Sequence, residues 1–164
     1  MAHQAERALD TVELRRLVDL YCLLTDRRDY VGVAALFLPD GSLTTSFAPA
    51  AVGRVTIQES LQSSLARFAE IGGFYADGML TQHAAISQVC DFEGDTATGV
   101  VCGQARLGGP GAGGFALLNV LRYEDEYRRV GGRWRFRSRR IVRLWTERAS
   151  VLDHGSRAST LPTA

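Results

Sequence analysis

The stretch LRRLVDLYCLLTDRRDYVGVAALFLPDGSL, residues 14–43, decides the fold. Its first half carries apolar residues at helical spacing, which predicts an amphipathic helix: Leu14, Leu17, Val18, Tyr21 and Leu24. Its second half repeats this spacing, which predicts a second helix: Tyr30, Val33, Ala34 and Phe37. The segment Pro39-Asp40-Gly41 then ends the second helix and turns the chain into a strand.

Two polar residues of this stretch are candidates for chemistry. Tyr21 lies on the apolar stripe, so its ring is expected to be buried and its hydroxyl to need a partner. Asp26 lies where the two helices meet, and if it faces inward its carboxylate is a base in an apolar chamber. An ordinary structural interpretation is open for both, with Tyr21 as a core residue and Asp26 as a helix cap.

Length and composition indicate one globular domain. With 164 residues, 46% of them hydrophobic and 23% charged, the chain is long enough for a core and a small-molecule cavity. The net charge of +1 gives no general reason to expect a nucleic-acid or membrane partner. All 19 basic residues are arginines, and the lack of lysine excludes Schiff-base chemistry on a lysine side chain.

The cysteines, histidines and motifs give no reason to expect a metal or a cofactor. Cys22, Cys90 and Cys102 form no CxxC pair, so we expect no disulfide framework and a cytoplasmic location. Only His83 lies inside the predicted core, which argues against a multi-histidine metal site. The sequence has no GxGxxG, phosphate-loop, HExxH or GxSxG motif, no apolar signal segment and no run long enough to span a membrane.

The segments next to the opening stretch have short, local signals. Residues 1–8 are expected to form a flexible tail, and Thr11 is expected to cap the first helix. Residues 42–47 predict a short strand, and residues 48–53 predict a loop.

The remainder of the chain predicts one more helix and then a series of strands. Thr56 is expected to cap a third helix over residues 57–71. Four strands are predicted after it, at residues 79–92, 96–107, 115–129 and 133–146. The glycine-rich residues 108–114 lack the strand-then-helix context of a phosphate loop and are expected to form a mobile hairpin loop. Residues 149–164 are expected to form a flexible tail.

The order of these elements predicts an α+β fold for residues 9–148. Three helices with one early strand precede a long antiparallel meander, so the sheet is expected to curl around the helices. Such a curved sheet leaves a pocket between its concave face and the first helix.

His83 is the strongest catalytic candidate on the predicted sheet. It shares a face of its strand with Thr81 and Ala85, and these small neighbours leave room beside its ring. Paired with Asp26, it would suit proton abstraction from carbon, because a carboxylate orients the ring and stabilises the imidazolium. A purely structural role is open for His83 as well.

The last strand and the strand before it supply two further candidates. Arg135, Arg137 and Arg139 share one face of the last strand, and we interpret the first two as solvated. Arg139 is a candidate for binding an oxyanion or a leaving group, but strand parity requires a β-bulge to turn it inward. Asn119 is a buried polar candidate, or alternatively pairs with a neighbouring side chain.

These features together resemble the SnoaL-like branch of the nuclear-transport-factor-2-like superfamily over residues 9–145. The resemblance is carried by a helix with Tyr21 and Asp26, the segment FLPDGSL, His83 after Thr81-Gln82, and the segment YRRVGGRWRFRSRRI. It implies a cystatin-like α+β barrel, in which a cone-shaped, mixed but mostly antiparallel sheet packs on three N-terminal helices.

The resemblance also implies a function. Asp26 and His83 match the proton-abstracting pair of dehydratases and dehydrochlorinases, while Tyr21 and Arg139 match further active-site positions of relatives. It thus implies a cofactor-independent lyase for a small hydrophobic, polyketide- or steroid-like substrate. A second active-site histidine found in one relative has no counterpart here. We expect additional substrate contacts from four residues: Phe37, Phe68, Leu117 and Asn119.

Two other functions and one assembly state are part of the same expectation. A polyketide cyclase or isomerase would use the same pair in the same pocket, and a non-catalytic domain would only bind the ligand. A homodimer or homotrimer through the outer sheet face is expected, because Val142 and Leu144 place apolar side chains on the last strand.

Overall fold

The computed structural model of the chain describes residues 2–46, 48–72, 80–108 and 115–150. Within these ranges the chain forms three helices and six strands. They are α1 (Ala2–Asp26), α2 (Tyr30–Ala35), β1 (Phe37–Thr45), β2 (Ala48–Val52), α3 (Arg54–Gly72), β3 (Leu80–Glu93), β4 (Thr96–Gly108), β5 (Phe115–Val130) and β6 (Arg133–Ser150).

The strands form one mixed sheet in the order β2-β1-β6-β5-β4-β3. Consecutive strands from β3 to β6 pair antiparallel, as do β1 and β2, while β1 pairs with β6 in parallel. The helices pack on one side of this sheet, and α1 lies against β3 and β6. The fold is therefore α+β, with a mostly antiparallel sheet on N-terminal helices, as the sequence predicted.

Glycines at the predicted hairpin turns explain why the strands of the meander end close to the predicted positions. Gly131 and Gly132 both have positive φ, 58° and 73°, which is the backbone of the two-residue turn that matches strand twist. Gly94, with φ of 56°, serves the β3–β4 turn in the same way. Strand boundaries consequently lie within a few residues of those predicted, except that β6 continues to Ser150.

Residues 2–8, which were expected to form part of a flexible tail, lie in α1, because this helix begins at Ala2. Thr11 lies inside this helix and donates to a carbonyl one turn earlier at 2.8 Å instead of capping it. The reason is a tertiary anchor that a local pattern does not reveal. Asp10 is 4% exposed and accepts a hydrogen bond of 2.8 Å from the indole of Trp134 on β6.

The region around β1 and β2 differs most from the prediction. The β1 strand begins at Phe37, before Pro39. The proline fits because the β1–β6 register shifts between Phe37 and Ser42, where a missing N–H costs no regular ladder bond. Residues 48–53, predicted as a loop, contain β2, which pairs with β1 and forms the sheet edge.

The third helix begins at Arg54, so Thr56 lies within its first turn and is not its cap. The Arg54 guanidinium donates to the carbonyl of Phe37 at 2.7 and 3.0 Å, which ties the start of α3 to β1. Most of the predicted glycine-rich loop at 108–114 and of the predicted tail at 149–164 lies outside the described residues, which leave out 109–114 and 151–164.

The core lies between α1 and the inner face of the sheet, and aromatic rings fill its centre. Tyr21 from α1 packs edge-on against Phe37, Tyr123 and Phe136, with ring centroids 5.9–6.4 Å apart. Aromatic contacts of this kind contribute about 0.5–1.5 kcal/mol each beyond area burial. The apolar stripe predicted for α1 is thus the face of the helix that packs against the sheet.

Candidate active site

The end of α1 meets β3 at a carboxylate–imidazole pair. The Asp26 Oδ1 and His83 Nδ1 atoms are 2.6 Å apart, which is within the hydrogen-bond reach that the sequence predicted. The two side chains are 22% and 17% exposed, so the pair is largely but not wholly shielded from solvent.

The Asp26 carboxylate is fixed by more than the imidazole. It accepts from the backbone N–H of His83 at 2.8 Å and from the hydroxyl of Thr81 at 3.1 Å. A helix C-terminus is the unfavourable end for a carboxylate, so helix stability does not explain Asp26 there. The capping role belongs instead to Asp29, which accepts from the N–H of Gly32 at 2.8 Å.

This arrangement selects the state of the imidazole. An ionised Asp26 accepts only, so the nitrogen facing it, Nδ1, carries the proton in neutral His83. The remaining ring nitrogen, Nε2, then has the free lone pair that a general base needs. His83 lines a cavity, so this candidate base lies on the cavity wall.

The cavity lies between the helices and the inner face of the sheet. Its volume is about 110 Å³, well above the roughly 10–15 Å³ that one water requires. Apolar side chains form much of its wall: Leu61, Ala105, Leu107, Leu121 and Ile141. Polar groups converge on the same space: Tyr21, Thr25, Tyr30, Thr45, Ser64, Thr81, His83, Asn119, Tyr123 and Arg143. The exposed surface of the cavity is nevertheless mostly apolar. A mostly apolar cavity with polar groups at fixed positions is the usual form of a small-molecule site.

Tyr21 is buried, as predicted, with 2% of its surface exposed, and it lines the cavity. Burial raises the pKa of Tyr21 to about 12, and the positive charge of Arg139 opposes part of that increase. The hydroxyl therefore keeps its proton at neutral pH and can act as a hydrogen-bond donor but not as a base.

Arg139 is turned inward by a β-bulge, as strand parity required. Glu126 pairs with Ser138 while Tyr127 pairs with Phe136, so Arg137 is the extra residue of the bulge. Arg139 is consequently 1% exposed.

The guanidinium of Arg139 does not line the cavity, and its contact with substrate stays a prediction. It donates to both carboxylate oxygens of Asp125 at 2.8 and 2.7 Å and lies 4.2–4.6 Å from the ring centroids of Tyr21, Tyr123 and Phe136. Burial alone would lower the pKa of Arg139, but the ion pair with Asp125 outweighs it and the pKa is raised. A buried charge needs such a partner, which explains why Arg139 faces Asp125 and the rings.

The predicted substrate contacts have different outcomes. Asn119 lines the cavity, and its Oδ1 accepts from the hydroxyl of Thr146 at 2.7 Å. Phe37 is fully buried and packs on Phe136 in the core, with ring centroids 5.0 Å apart, and its contact with substrate stays a prediction. Leu117 packs against the core and is also absent from the cavity wall. The side chain of Phe68 lies outside the described residues.

Sequence reasoning missed three residues of this region: Tyr123, Asp125 and Thr45. Alternation along β5 carried the signal for the first two, since Leu121, Tyr123 and Asp125 share the inward face. A carboxylate on a core-facing position indicates a buried cation opposite it, and Asp125 pairs in register with Arg139. Thr45 lies in the short strand predicted over residues 42–47, but that segment carried no signal for which of its residues lines a cavity.

Two other findings concern only the part of the chain that the structure describes. Among those residues, no group of three or more His, Cys, Asp or Glu side chains is placed to hold a metal ion. No helix there is long and apolar enough to cross a membrane.

The fold and the site define a class: an α+β sheet-and-helix chamber with a histidine on its wall that is hydrogen-bonded to an aspartate. The chain belongs to the SnoaL-like domain family, whose sequence model matches residues 6–140. No curated protein sequence matches the chain significantly.

Solved structures with the same fold are numerous. An NTF2-like protein with a cystatin-like fold from Novosphingobium aromaticivorans is 22% identical and has a TM-score of 0.69, over 87% of each chain. A putative scytalone dehydratase from the same organism is 20% identical, with a TM-score of 0.73 over 91% of this chain and 93% of that one. A hexachlorocyclohexane dehydrochlorinase from Novosphingobium barchaimii is 14% identical, with a TM-score of 0.76 over 91% and 96%. These similarities establish the fold.

Proposed function

We propose that the chain is a cofactor-independent lyase that eliminates a leaving group from a small hydrophobic substrate. The observation that carries this proposal is the 2.6 Å contact between Asp26 and His83, of which His83 lies on the wall of a largely apolar cavity. A base inside an apolar chamber is shielded from competing water, and a carboxylate behind it stabilises the imidazolium that forms.

The proposed reaction begins with His83. Its Nε2 takes the proton from a carbon next to a carbonyl group, and the C–H electron pair moves toward the carbonyl to give an enolate. The enolate then reforms the C=O bond and expels a hydroxyl group from the β-carbon, leaving a carbon–carbon double bond. The imidazolium returns its proton to the departing hydroxyl, so the products are an enone and water. Asp26 orients the ring throughout, and the protonated Tyr21 is a donor on the cavity wall.

Similar structures support a lyase without establishing it. The names of two of them, a dehydratase and a dehydrochlorinase, both denote elimination reactions. The family assignment and the placement of Asp26 and His83 agree with the same reaction type.

A panel of cyclic β-hydroxy ketones tests the proposal, because their dehydration to enones is visible by ultraviolet absorbance. The wild-type protein should convert at least one member, and the product mass should show the loss of one water. Conversion to a product of unchanged mass would instead support the second candidate, an isomerase or a cyclase that uses the same pair. Binding of these ketones with no conversion of any kind would contradict both and leave a binding domain.

The pH dependence of the conversion is a further check. Activity should fall as the solution becomes acidic, because a protonated His83 has no lone pair with which to accept the substrate proton. Activity that rises steadily toward acidic pH would contradict a general-base role for this residue.

A further inference from the structure

Two hydroxyl groups of the cavity residues have no hydrogen-bond partner among the residues that the structure describes. They belong to Tyr123 on β5 and Thr45 on β1, and both oxygen atoms are buried. Both residues line the same cavity as His83. A buried hydroxyl without a partner costs folding free energy, so two of them at one cavity require an explanation.

We propose that the hydroxyl groups of Tyr123 and Thr45 form the subsite that binds the carbonyl oxygen of the substrate. Where it names the substrate's oxygen, this inference rests on the proposed function. The two unpartnered hydroxyl groups stand independently of it.

Strand register places Thr45 and Tyr123 on the same face of the sheet, with one strand between them. Thr45 of β1 pairs with Ile141 of β6, and Ile141 pairs with Tyr123 of β5. Residues in register on neighbouring strands project from the same face of the sheet. Ile141 also lines the cavity, so the two hydroxyl-bearing residues flank one apolar side chain on its wall.

The ring of Tyr123 is held on several sides. The guanidinium carbon of Arg139 lies 4.6 Å from its centroid, and the ring of Tyr21 lies edge-on at 6.4 Å. A Cβ atom added to Gly103 would lie 2.9 Å from the ring, so glycine at that position leaves the space that the ring occupies. A donor on a ring held in this way is preorganised, which is what makes hydrogen bonds to a developing charge effective.

The protonation state fits a donor. Burial raises the pKa of Tyr123, the neighbouring Tyr21 adds to the increase, and Arg139 opposes only part of it. The Tyr123 hydroxyl thus keeps its proton at neutral pH, and its O–H bond, like that of Thr45, can rotate toward a ligand oxygen.

The chemistry of the proposed reaction needs such a subsite. When His83 removes the proton, negative charge develops on the substrate's carbonyl oxygen, and in an apolar chamber this charge is costly without donors. The two hydroxyl groups would donate to that oxygen more strongly as its charge grows. Arg139 would act as a positioning residue behind the rings, since it does not touch the cavity.

Binding of a matched ligand pair tests the subsite without turnover. Acetophenone and α-methylstyrene have nearly the same shape and differ in a C=O group against a C=CH₂ group. The wild-type protein should bind acetophenone more tightly, and Tyr123→Phe or Thr45→Val should reduce that preference by roughly 3- to 10-fold, the scale of one hydrogen bond. The controls are Tyr127→Phe and Thr44→Val, which remove hydroxyl groups of residues outside the cavity wall and should keep the preference.

The vibrational spectrum of the bound ligand gives a second measure. The C=O stretch of ¹³C-labelled acetophenone should move to lower frequency in the wild-type cavity and move back in Tyr123→Phe. In addition, Tyr123→Phe should melt at the same temperature as wild type or higher, because it removes an unpartnered hydroxyl. Tyr127→Phe should melt lower, because its hydroxyl donates to Asp125 at 2.7 Å.

The inference is overturned if wild type shows no preference for acetophenone, or if Tyr123→Phe keeps both the preference and the carbonyl frequency. A variant with His83→Ala separates this result from the proposed function. If the subsite exists, that variant should keep the preference for acetophenone even when it has lost all turnover. Full turnover by His83→Ala with an intact preference would reject the proposed role of His83 as the base and retain the subsite.

Discussion

At the scale of single residues, Asp26 is defined by the donors that surround it. The backbone N–H of His83, its Nδ1 and the Thr81 hydroxyl all point at one carboxylate. Only a group that accepts on both oxygens satisfies all three. This explains why the aspartate lies at a helix end where the dipole does not favour it.

Replacing Asp26 with Asn should therefore cost stability as well as activity. The amide can accept on one side only, so its NH₂ group must face a donor, and the loss should be about 1–3 kcal/mol by chemical denaturation. The ¹⁵N spectrum of His83 should also lose its preference for the Nδ1–H tautomer. The control Asp29→Asn keeps an accepting oxygen for the Gly32 N–H and should change stability much less. An Asp26→Asn protein with wild-type stability and an unchanged imidazole spectrum would contradict this description.

The Arg139–Asp125 pair is the second feature at this scale, because both side chains are fully buried. Arg139→Met should lower the free energy of unfolding by about 3–5 kcal/mol, since it leaves the Asp125 carboxylate buried without its cation. The double variant Arg139→Met/Asp125→Leu should recover part of that loss. Urea unfolding of wild type, Arg139→Met and the double variant measures both effects. If the double variant is instead less stable than Arg139→Met by a second loss of similar size, the two residues act independently.

At the scale of elements, the bulge in β6 controls which face the arginines occupy. Within the described part of the chain, Arg137 pairs with exposed Glu126 at 3.6 Å, so Arg137→Ala should change stability by less than about 0.5 kcal/mol. Deleting Arg137 should instead lower stability strongly, because the deletion restores regular β5–β6 pairing and moves Arg139, Ile141 and Arg143 to the opposite face of the sheet. Circular dichroism and thermal melting compare the two variants. A deletion variant as stable as Arg137→Ala would show that the bulge does not determine which face of the sheet Arg139 occupies.

Elements are also the scale at which the sequence was most informative. Apolar spacing predicted α1 and the four long strands, and Gly94 and Gly131-Gly132 predicted their turns, because these signals are local. The β1–β2 edge was mispredicted, because its strands are stabilised by pairing with a distant strand rather than by their own pattern. The start of α1 was mispredicted for a similar reason, since Asp10 is held by Trp134 more than a hundred residues away.

The candidate site was partly predictable in the same sense. The resemblance to a family placed Asp26 beside His83, and simple parity showed that Arg139 needs a bulge to face inward. Neither method revealed that Asp125 would hold Arg139 away from the cavity. That outcome depends on the register between β5 and β6, which a single sequence does not specify.

At the scale of the whole molecule, the buried tyrosines should set the alkaline limit of stability. Burial raises the pKa of Tyr21 to about 12, and it raises the pKa values of Tyr123 and Tyr127 as well. Because the folded values exceed the unfolded value of about 10, this contribution is complete below pH 10 and is lost as the pH rises further. Each tyrosine should lower the unfolding free energy by about 1.4 kcal/mol per pH unit between its two pKa values.

Urea unfolding at a series of pH values above 10, with tyrosinate absorbance as a parallel signal, measures this slope. Tyr127→Phe should reduce the slope by the contribution of one tyrosine, about 1.4 kcal/mol per pH unit. Free ionisation of these tyrosines near pH 10 in a protein that stays folded would contradict their burial.

Assembly is the other question at this scale, and the predicted homodimer or homotrimer stays a prediction. Val89 and Val100 are paired in register and are 70% and 46% exposed on the outer sheet face. If this face is the interface, light scattering at micromolar concentration should give a multiple of the chain mass. Val89→Arg should reduce the measured mass to that of one chain. A monomeric wild-type protein under these conditions would reject the prediction.

The central claim is that His83 removes a proton from the substrate, and the most direct measurement is turnover by folded His83→Ala. On a β-hydroxy ketone that the wild-type protein dehydrates, the rate should fall by about 10²- to 10⁴-fold, the usual contribution of one positioned acid–base group. Gln82→Ala, an exposed neighbour on the other face of β3, should keep the wild-type rate. A folded His83→Ala protein that retains near wild-type turnover would contradict the claim.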